Sequence, residues 1–269
     1  MATLKKSTAF TSIALMTGKD CVAQIEPSER KGIRYHFDGG MVEGNIDNVI
    51  STDHCVVFGN EQVKKIMLTE HFSAACAICG IDSLDVYLSH FELPIGDGSS
   101  KPWVELFKKA GITSQTKESY RITEPVSYLN GKTHCVVLPS DNFRITYGVN
   151  YKHPELNNRW VSMELKEIDK VCEARTFGYL KELKMLQLAG FARGAKEDNA
   201  VGMTDDGYTT KLRSEYEPVR HKILDLIGDF FLTGTNPLKW KAEIIVKEAG
   251  HTVHYKTALM LKNKIQKEQ

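Results

Sequence analysis

The thirteen residues VRHKILDLIGDFF, Val219 to Phe231, constrain this chain more than any other stretch. Ile223, Leu224, Leu226, Ile227, Phe230 and Phe231 read as a helix buried on most sides, yet His221, Asp225 and Asp229 recur every fourth residue. A step of four advances one turn and only about 40° around the axis, so an imidazole and two carboxylates share one face. Unpaired charge is costly in such a place. The fold must therefore bring compensating partners to this ladder. A metal ion would compensate Asp225, and a neighbouring imidazolium would compensate Asp229. Taken alone, His-x-x-x-Asp on a helix also describes a surface ion pair or a satisfied core histidine.

With 269 residues and 42% apolar content, the chain can build one large core or two ordinary ones. Its net charge of +1, with both signs mixed, offers no basic field for nucleic acid. No run of about 18 apolar residues suggests a transmembrane segment. The first twenty residues have no h-region of a secretory signal, so a cytoplasmic protein is expected. Protein partners are unknown at this level. Six cysteines do not make a disulfide scaffold, and Cys76 and Cys79, spaced C-x-x-C in an apolar helix, read as buried structural thiols.

The first hundred residues read as strands at VAQIEP, GIRYHFDGG, CVVFG and LDVYLSHFELPI. Helices are expected from Glu70 in EHFSAACAICG and from Pro102 to Gly111 in PWVELFKKAG. A polar stretch at 113–120 is the best linker, which divides the chain into residues 1–115 and 121–269. Strands resume at RITEPVSYL, HCVVLP and FRITYGVNY. Helical patterns follow at SMELKEIDKVCEA, LKELKMLQLAG, the opening helix and HTVHYKTALMLKNKIQ. Two halves, each strands followed by helices, suggest an α+β fold of two packed layers.

A histidine and a carboxylate at i and i+4 can reach one metal ion. A second acid-histidine pair, Glu70-His71, opens an apolar helix, and His251 follows a glycine at the start of the last helix. Together these residues could form a hydrolase site. His71, His221 and Asp225 would be three N/O ligands, the usual number for catalytic zinc with a fourth position open to water. Glu70 would take a proton from that water, and a protonated His251, held by Asp229, would stabilise an oxyanion and protonate a leaving amine. Two histidines and one carboxylate also suit Fe(II). Spacing does not show that residues 70, 221 and 251 converge.

The string VRHKILDLIGD, with GH about twenty residues on, resembles the zinc-dependent UDP-3-O-acyl-N-acetylglucosamine deacetylases of lipid A biosynthesis. TEHFSAA, GID, ELPIGDGS and ARTFGY carry the same resemblance, in order, over nearly the whole chain. It implies two α+β domains of similar topology with the active site at their interface. It implies zinc on His71, His221 and Asp225, with Glu70 as general base and His251, oriented by Asp229, as general acid or oxyanion stabiliser. Thr176 matches a threonine that hydrogen-bonds the tetrahedral intermediate, and Lys222 a lysine near the sugar-nucleotide portion. An insert around 174–203 would hold the acyl chain, with Phe177, Leu180, Leu183 and Ala192 lining its passage. The implied substrate is a UDP-linked 3-O-acyl-N-acetylglucosamine, from which the N-acetyl group is hydrolysed to acetate. GDGSSK lacks the spacing of a phosphate loop and reads as a turn.

The sequence departs from the family pattern at several places. Ala14 and Met16 stand in SIALMTG where GVGLH-[ST]-G is usual, and LTEH places Leu68 ahead of Thr69. Ser83 ends GIDS, Ala195 and Lys196 replace a glycine-serine pair, and His254 stands in GHTVH where Asn is usual. Most of these positions are expected to shape the substrate cleft, none to touch a ligand or an acid-base residue. They leave open deacetylation of a different acylated amino sugar. A non-catalytic binding descendant would be expected to lack a ligand or acid-base residue, and none is missing.

Overall fold

The computed structural model describes residues 1–114 and 118–268, so the expected linker at 113–120 lies partly outside the described residues. The fold is α+β, and one topology occurs twice. The first copy contains β1 (Thr8–Ile13), β2 (Asp20–Pro27), β3 (Gly32–Phe37), β4 (Gly40–Glu43) and a small sheet of β5 (Val49–Ser51), β6 (Val57–Phe58) and β7 (Ile66–Met67). Helix α1 (Glu70–Cys79), β8 (Ser83–Leu88) and helix α2 (Lys101–Ala110) complete it. Its main sheet runs β1-β2-β8-β3-β4, with β8 antiparallel to β2 and parallel to β3.

The second copy begins with β9 (Tyr120–Ile122), β10 (Val126–Asn130), β11 (Thr133–Pro139), β12 (Arg144–Val149) and β13 (Arg159–Glu164). It continues with α3 (Asp169–Cys172), β14 (Phe177–Tyr179), α4 (Leu180–Leu188) and β15 (Val201–Met203). The last elements are α5 (Glu217–Phe231), β16 (Trp240–Lys247), α6 (His251–Leu261) and β17 (Ile265–Lys267). Its path β10-β11-β16-β12-β13 repeats the first, with β16 antiparallel to β11 and parallel to β12. Two hairpins thus flank a late central strand in each copy, with α1 or α5 as the last helix before that strand and α2 or α6 after it. The connection after the central strand spans residues 89–100 in the first copy and only 248–250 in the second.

Local sequence explains these elements. Along β2, Cys21, Ala23 and Ile25 point inward and are fully buried, while their neighbours face solvent. In β16, Trp240, Ala242, Ile244 and Val246 do the same. The β3–β4 hairpin turns on Asp38 and Gly39, both with positive φ (51° and 78°), as a two-residue turn of that hand requires. Cys76 and Cys79 are buried on α1, and burial pushes both thiols up, Cys79 to about 11. Among the described residues no helix is long and apolar enough to cross a membrane.

Several expectations need correction. SMELKEIDKVCEA is not one helix: Ser162, Met163 and Glu164 end β13, a 3-10 turn follows at Leu165–Glu167, and only Asp169–Cys172 is α-helical. Pairing of β13 with β12, Met163 opposite Ile145, outweighs the helical propensity of Met, Glu and Leu. RITEPVSYL is two strands interrupted at Thr123–Pro125, since Pro125 cannot donate to a ladder. The strand read through to Ile95 stops at Leu88, and the last helix stops at Leu261, after which Ile265–Lys267 pairs with β9.

Candidate active site

Helix α1 packs across α5, and Gly228 permits the close approach. A Cβ at Gly228 would lie 2.2 Å from the Glu70 carbonyl oxygen, so only glycine fits between Asp225 and Asp229. The crossing places Glu70 and His71, the first residues of α1, over the polar ladder of α5. Leu68, in the left-handed region at φ 59°, turns the chain just ahead of Glu70. The buried Ser100 hydroxyl donates to the His71 carbonyl at 2.7 Å, fixing that turn from α2.

His71, His221 and Asp225 are buried, and their ligand atoms all lie within 4.8 Å of one another. Asp225 Oδ1 is 3.3 Å from His221 Nε2 and 3.8 Å from His71 Nε2. The two imidazoles meet edge to face, their centroids 4.9 Å apart. His221 Nδ1 lies 3.0 Å from the Ala174 carbonyl, to which it donates, leaving the Nε2 lone pair directed inward. Burial pushes His71 down to about 3 and also lowers His221, so both rings are neutral and can ligate. Burial works against ionisation of Asp225, but Lys222 and the surrounding histidines hold it well below the usual carboxylate range. This donor set, two neutral imidazoles and a carboxylate oxygen in a buried cluster, fits a divalent cation such as zinc.

Lys222 donates to Asp225 Oδ2 at 2.7 Å and lines the same cavity. It therefore occupies the second carboxylate oxygen while Oδ1 faces the histidines, a contact that i, i+3 spacing permits. Burial opposes its charge, yet Asp225 raises it above the usual lysine range.

Glu70 is 4% exposed, and its Oε2 is buried without a hydrogen-bond partner. Burial, aided by Asp225 and Asp229 and opposed by His251, pushes its carboxyl up to about 7. His251 begins α6 directly after the 248–250 turn, where Glu248 takes φ 51°. Its Nδ1 donates to Asp229 Oδ2 at 2.8 Å. Burial works against its charge, but Asp229, with help from Asp225 and Glu70, raises it to about 9. Asp229 is held low against its burial by His251 and His254.

One cavity of about 540 Å³ is lined by Glu70, His71, Thr176, His221, Lys222, Asp225 and His251, and by Phe177, Leu180, Leu183 and Ala192 of the insert. Asp229 is not on its wall and stands behind His251. The backbone of Thr176 donates to Gly98 O at 2.7 Å, so the GDGS turn props the threonine against the cavity. A Cβ at Gly98 would lie 1.9 Å from the Asn199 carbonyl, which explains the second glycine. Leu180 is 44% exposed at the rim. Sequence reading passed over Tyr151, His54, Leu186 and Met203, which also line the cavity. Leu186 follows Leu180 and Leu183 at three-residue spacing on α4, whereas His54, Tyr151 and Met203 come from separate loops and a strand and no spacing pattern singles them out.

Of the departures from the family pattern, Met16, Leu68, Ala195 and Lys196 do line the cavity. His254 does not. Its Nδ1 donates to Asp229 Oδ2 at 2.8 Å, so this departure touches the carboxylate behind His251 and not the cleft.

A model of the UDP-3-O-acyl N-acetylglycosamine deacetylase family matches residues 1–263. Curated relatives called UDP-3-O-acyl-N-acetylglucosamine deacetylase include one from Leptospira biflexa, 32% identical, covering 98% of this chain and 90% of the relative. One from Geotalea uraniireducens is 35% identical over 94% of this chain and 85% of its own length. One from Chlamydia muridarum is 33% identical over 99% and 96%. With a family model matched over residues 1–263 and relatives 32–35% identical over nearly its whole length, the chain belongs to the UDP-3-O-acyl N-acetylglycosamine deacetylase family, a family of hydrolases.

Proposed function

We propose that this chain is a cytoplasmic, zinc-dependent amidohydrolase that removes the N-acetyl group from a UDP-linked 3-O-acyl-N-acetylglucosamine in lipid A biosynthesis. The observation that carries this reading is the convergence of Glu70, His71, His221, Asp225 and His251 on a cavity that continues along the apolar side of the insert.

His71 and His221 through Nε2, and Asp225 through Oδ1, would hold the cation. When bound, zinc supplies Lewis acidity to the amide carbonyl and makes water more acidic, and Fe(II) would suit the same ligands. Glu70, whose Oε2 is free of protein partners, takes the proton as water adds to the carbonyl carbon. His251, charged against Asp229, and the Thr176 hydroxyl face the developing oxyanion. The C–N bond then breaks as His251 gives its proton to the amine, releasing acetate and the amino sugar. Lys222 keeps Asp225 ionised and oriented from the cavity wall, beside the sugar-nucleotide portion. Phe177, Leu180, Leu183 and Ala192 receive the acyl chain.

The test is acetate release from the UDP-acyl-amino sugar by metal-stripped and zinc-restored protein, with Glu70→Ala beside it. Restored activity, and a Glu70→Ala variant that keeps its zinc while turnover falls at least about a hundredfold, support the assignment. Loss of zinc in that variant would make Glu70 a ligand, and binding without acetate release would point to a non-catalytic descendant. A different acylated amino sugar is a second reading, favoured by Met16, Ala195 and Lys196 on the cavity wall. Parallel assays with and without the 3-O-acyl chain separate the two.

A further inference from the structure

His254 is fully buried one turn from His251 on α6, yet it reaches neither the cavity nor the cation ligands. Its Nδ1 donates to Asp229 Oδ2, the same oxygen that receives His251 Nδ1–H, each at 2.8 Å. Its Nε2 lies 2.9 Å from the hydroxyl of Tyr147 on β12. That hydroxyl, with one hydrogen to give, also lies 2.8 Å from the carbonyl of Ala249 in the turn leading into His251. The chain of contacts therefore begins and ends at His251: through Asp229 to its ring, and through Ala249 to its backbone.

We propose that His254 and Tyr147 form a positioning pair for the acid His251, locking the Asp229 carboxylate and the 248–250 turn in one orientation. The proposal rests on the reading of His251 as the proton donor to the leaving amine.

The physical case has two parts. Asp229 Oδ1 is buried without a partner, so His251 alone would leave the carboxylate free to swing about its last torsion. A second N–H on Oδ2 removes that freedom. An apolar side chain would fill the same space without the cost of enclosing an imidazole, so the polar contacts serve orientation rather than burial.

The second part concerns charge. Two donors share one carboxylate oxygen, and each weakens the hold of Asp229 on the other's proton. His251 faces Asp229, Asp225 and Glu70 as negative groups, and His71, His221 and His254 as neighbouring imidazoles. His254 faces Asp229, His251, Lys222 and the Tyr147 hydroxyl. Of the donors to Asp229, only His254 stands outside the reacting set, so its removal should make Asp229 a stronger partner for His251 and a less well aimed one.

The test uses the zinc-loaded full chain, with kcat and KM for acetate release followed against pH. His254→Phe is expected to lower kcat about tenfold with KM within about twofold, and to move the alkaline limb to higher pH. His254→Asn keeps an amide donor towards Asp229 and is expected to recover most of the loss. Tyr147→Phe, which breaks only the outer link, is expected to fall between them. Independently of activity, proton NMR should show a downfield Nδ1–H resonance from each histidine bonded to Asp229 in the wild type, and His254→Phe should lose one of the two. Wild-type kcat and an unmoved alkaline limb in both His254→Phe and Tyr147→Phe would overturn the proposal. If His251→Gln abolishes turnover while these variants retain it, the positioning pair alone is wrong. If His251→Gln leaves kcat unchanged, the acid reading falls and the pair with it.

Discussion

Replacing Gly228 by alanine tests whether the crossing of α1 over α5 assembles the site. The added Cβ would lie 2.2 Å from the Glu70 carbonyl oxygen, 2.8 Å from its carbon and 3.0 Å from its Cα. All three are backbone atoms, which cannot rotate aside, so α1 must retreat by roughly 1 Å to restore ordinary contact. Alanine contributes about 1 kcal/mol of helix propensity over glycine, while overpacking a close contact costs about 1–3 kcal/mol. Backbone-on-backbone contact belongs at the costly end, so a net loss of about 2 kcal/mol is expected, or a fall in Tm of roughly 4–8 °C for a chain of this length. The catalytic effect should be larger. A displacement of about 1 Å in a reacting group can cost about a hundredfold in rate. Glu70 and His71 move with α1, while His221 and Asp225 stay on α5. Thermal unfolding by circular dichroism, zinc affinity by competition titration and acetate release should all fall in Gly228→Ala. A variant as stable and as active as the wild type would refute the role given to this glycine.

Activity should depend on pH as a bell, because Glu70 must be ionised and His251 protonated. It should rise as pH passes Glu70, at about 7 and lower still with a cation beside it, and fall as pH passes His251 at about 9. A profile whose alkaline limb survives in the residual activity of His251→Gln would contradict that assignment. Lys222→Met strips the partner from a buried carboxylate, so the metal-free protein should lose about 3 kcal/mol and zinc affinity should drop by about tenfold or more. Unchanged zinc affinity in a competition titration would argue against an orienting role for Lys222. Leu183→Glu puts charge on the apolar side of the cavity and should raise KM for the acylated substrate about tenfold, sparing a substrate without the chain. Equal effects on both substrates would count against an acyl passage there.

How much of this could be read from the chain depended on distance along it. Helices α1 and α5 were legible because apolar periodicity and i, i+4 spacing are local, as was the contact between Lys222 and Asp225 in principle. Strand β13 was misread because Met163, Glu164 and Leu165 favour helices, and only the neighbouring β12 decides otherwise. Strand β16 was overlooked although its alternation, Trp240 to Lys247, is strict. The convergence of residues 70, 221 and 251 was not in the spacing at all. It depends on Gly228 beneath Glu70 and on a three-residue turn before His251, both of them contacts between distant segments. Family resemblance carried that part. The link from His254 to Asp229 crosses two helices and had no local signal.

The unequal connections after the two central strands have a consequence for how this fold tolerates change. In the first copy the long path through 89–100 is tied to several segments: Phe91 and Leu93 bond to Met67, Ile95 to Ile13, Gly98 to Thr176 and Ser100 to His71. In the second copy every residue of 248–250 bears on His251: Glu248 bonds to Gly148, Ala249 receives the Tyr147 hydroxyl and Gly250 precedes the ring-bearing residue. An insertion there would carry the imidazole about 3 Å, farther than its bond to Asp229 can stretch. At equivalent joints of a repeated architecture, the long connection is held by many separate contacts, whereas in the short one the chain length alone sets where the imidazole stands.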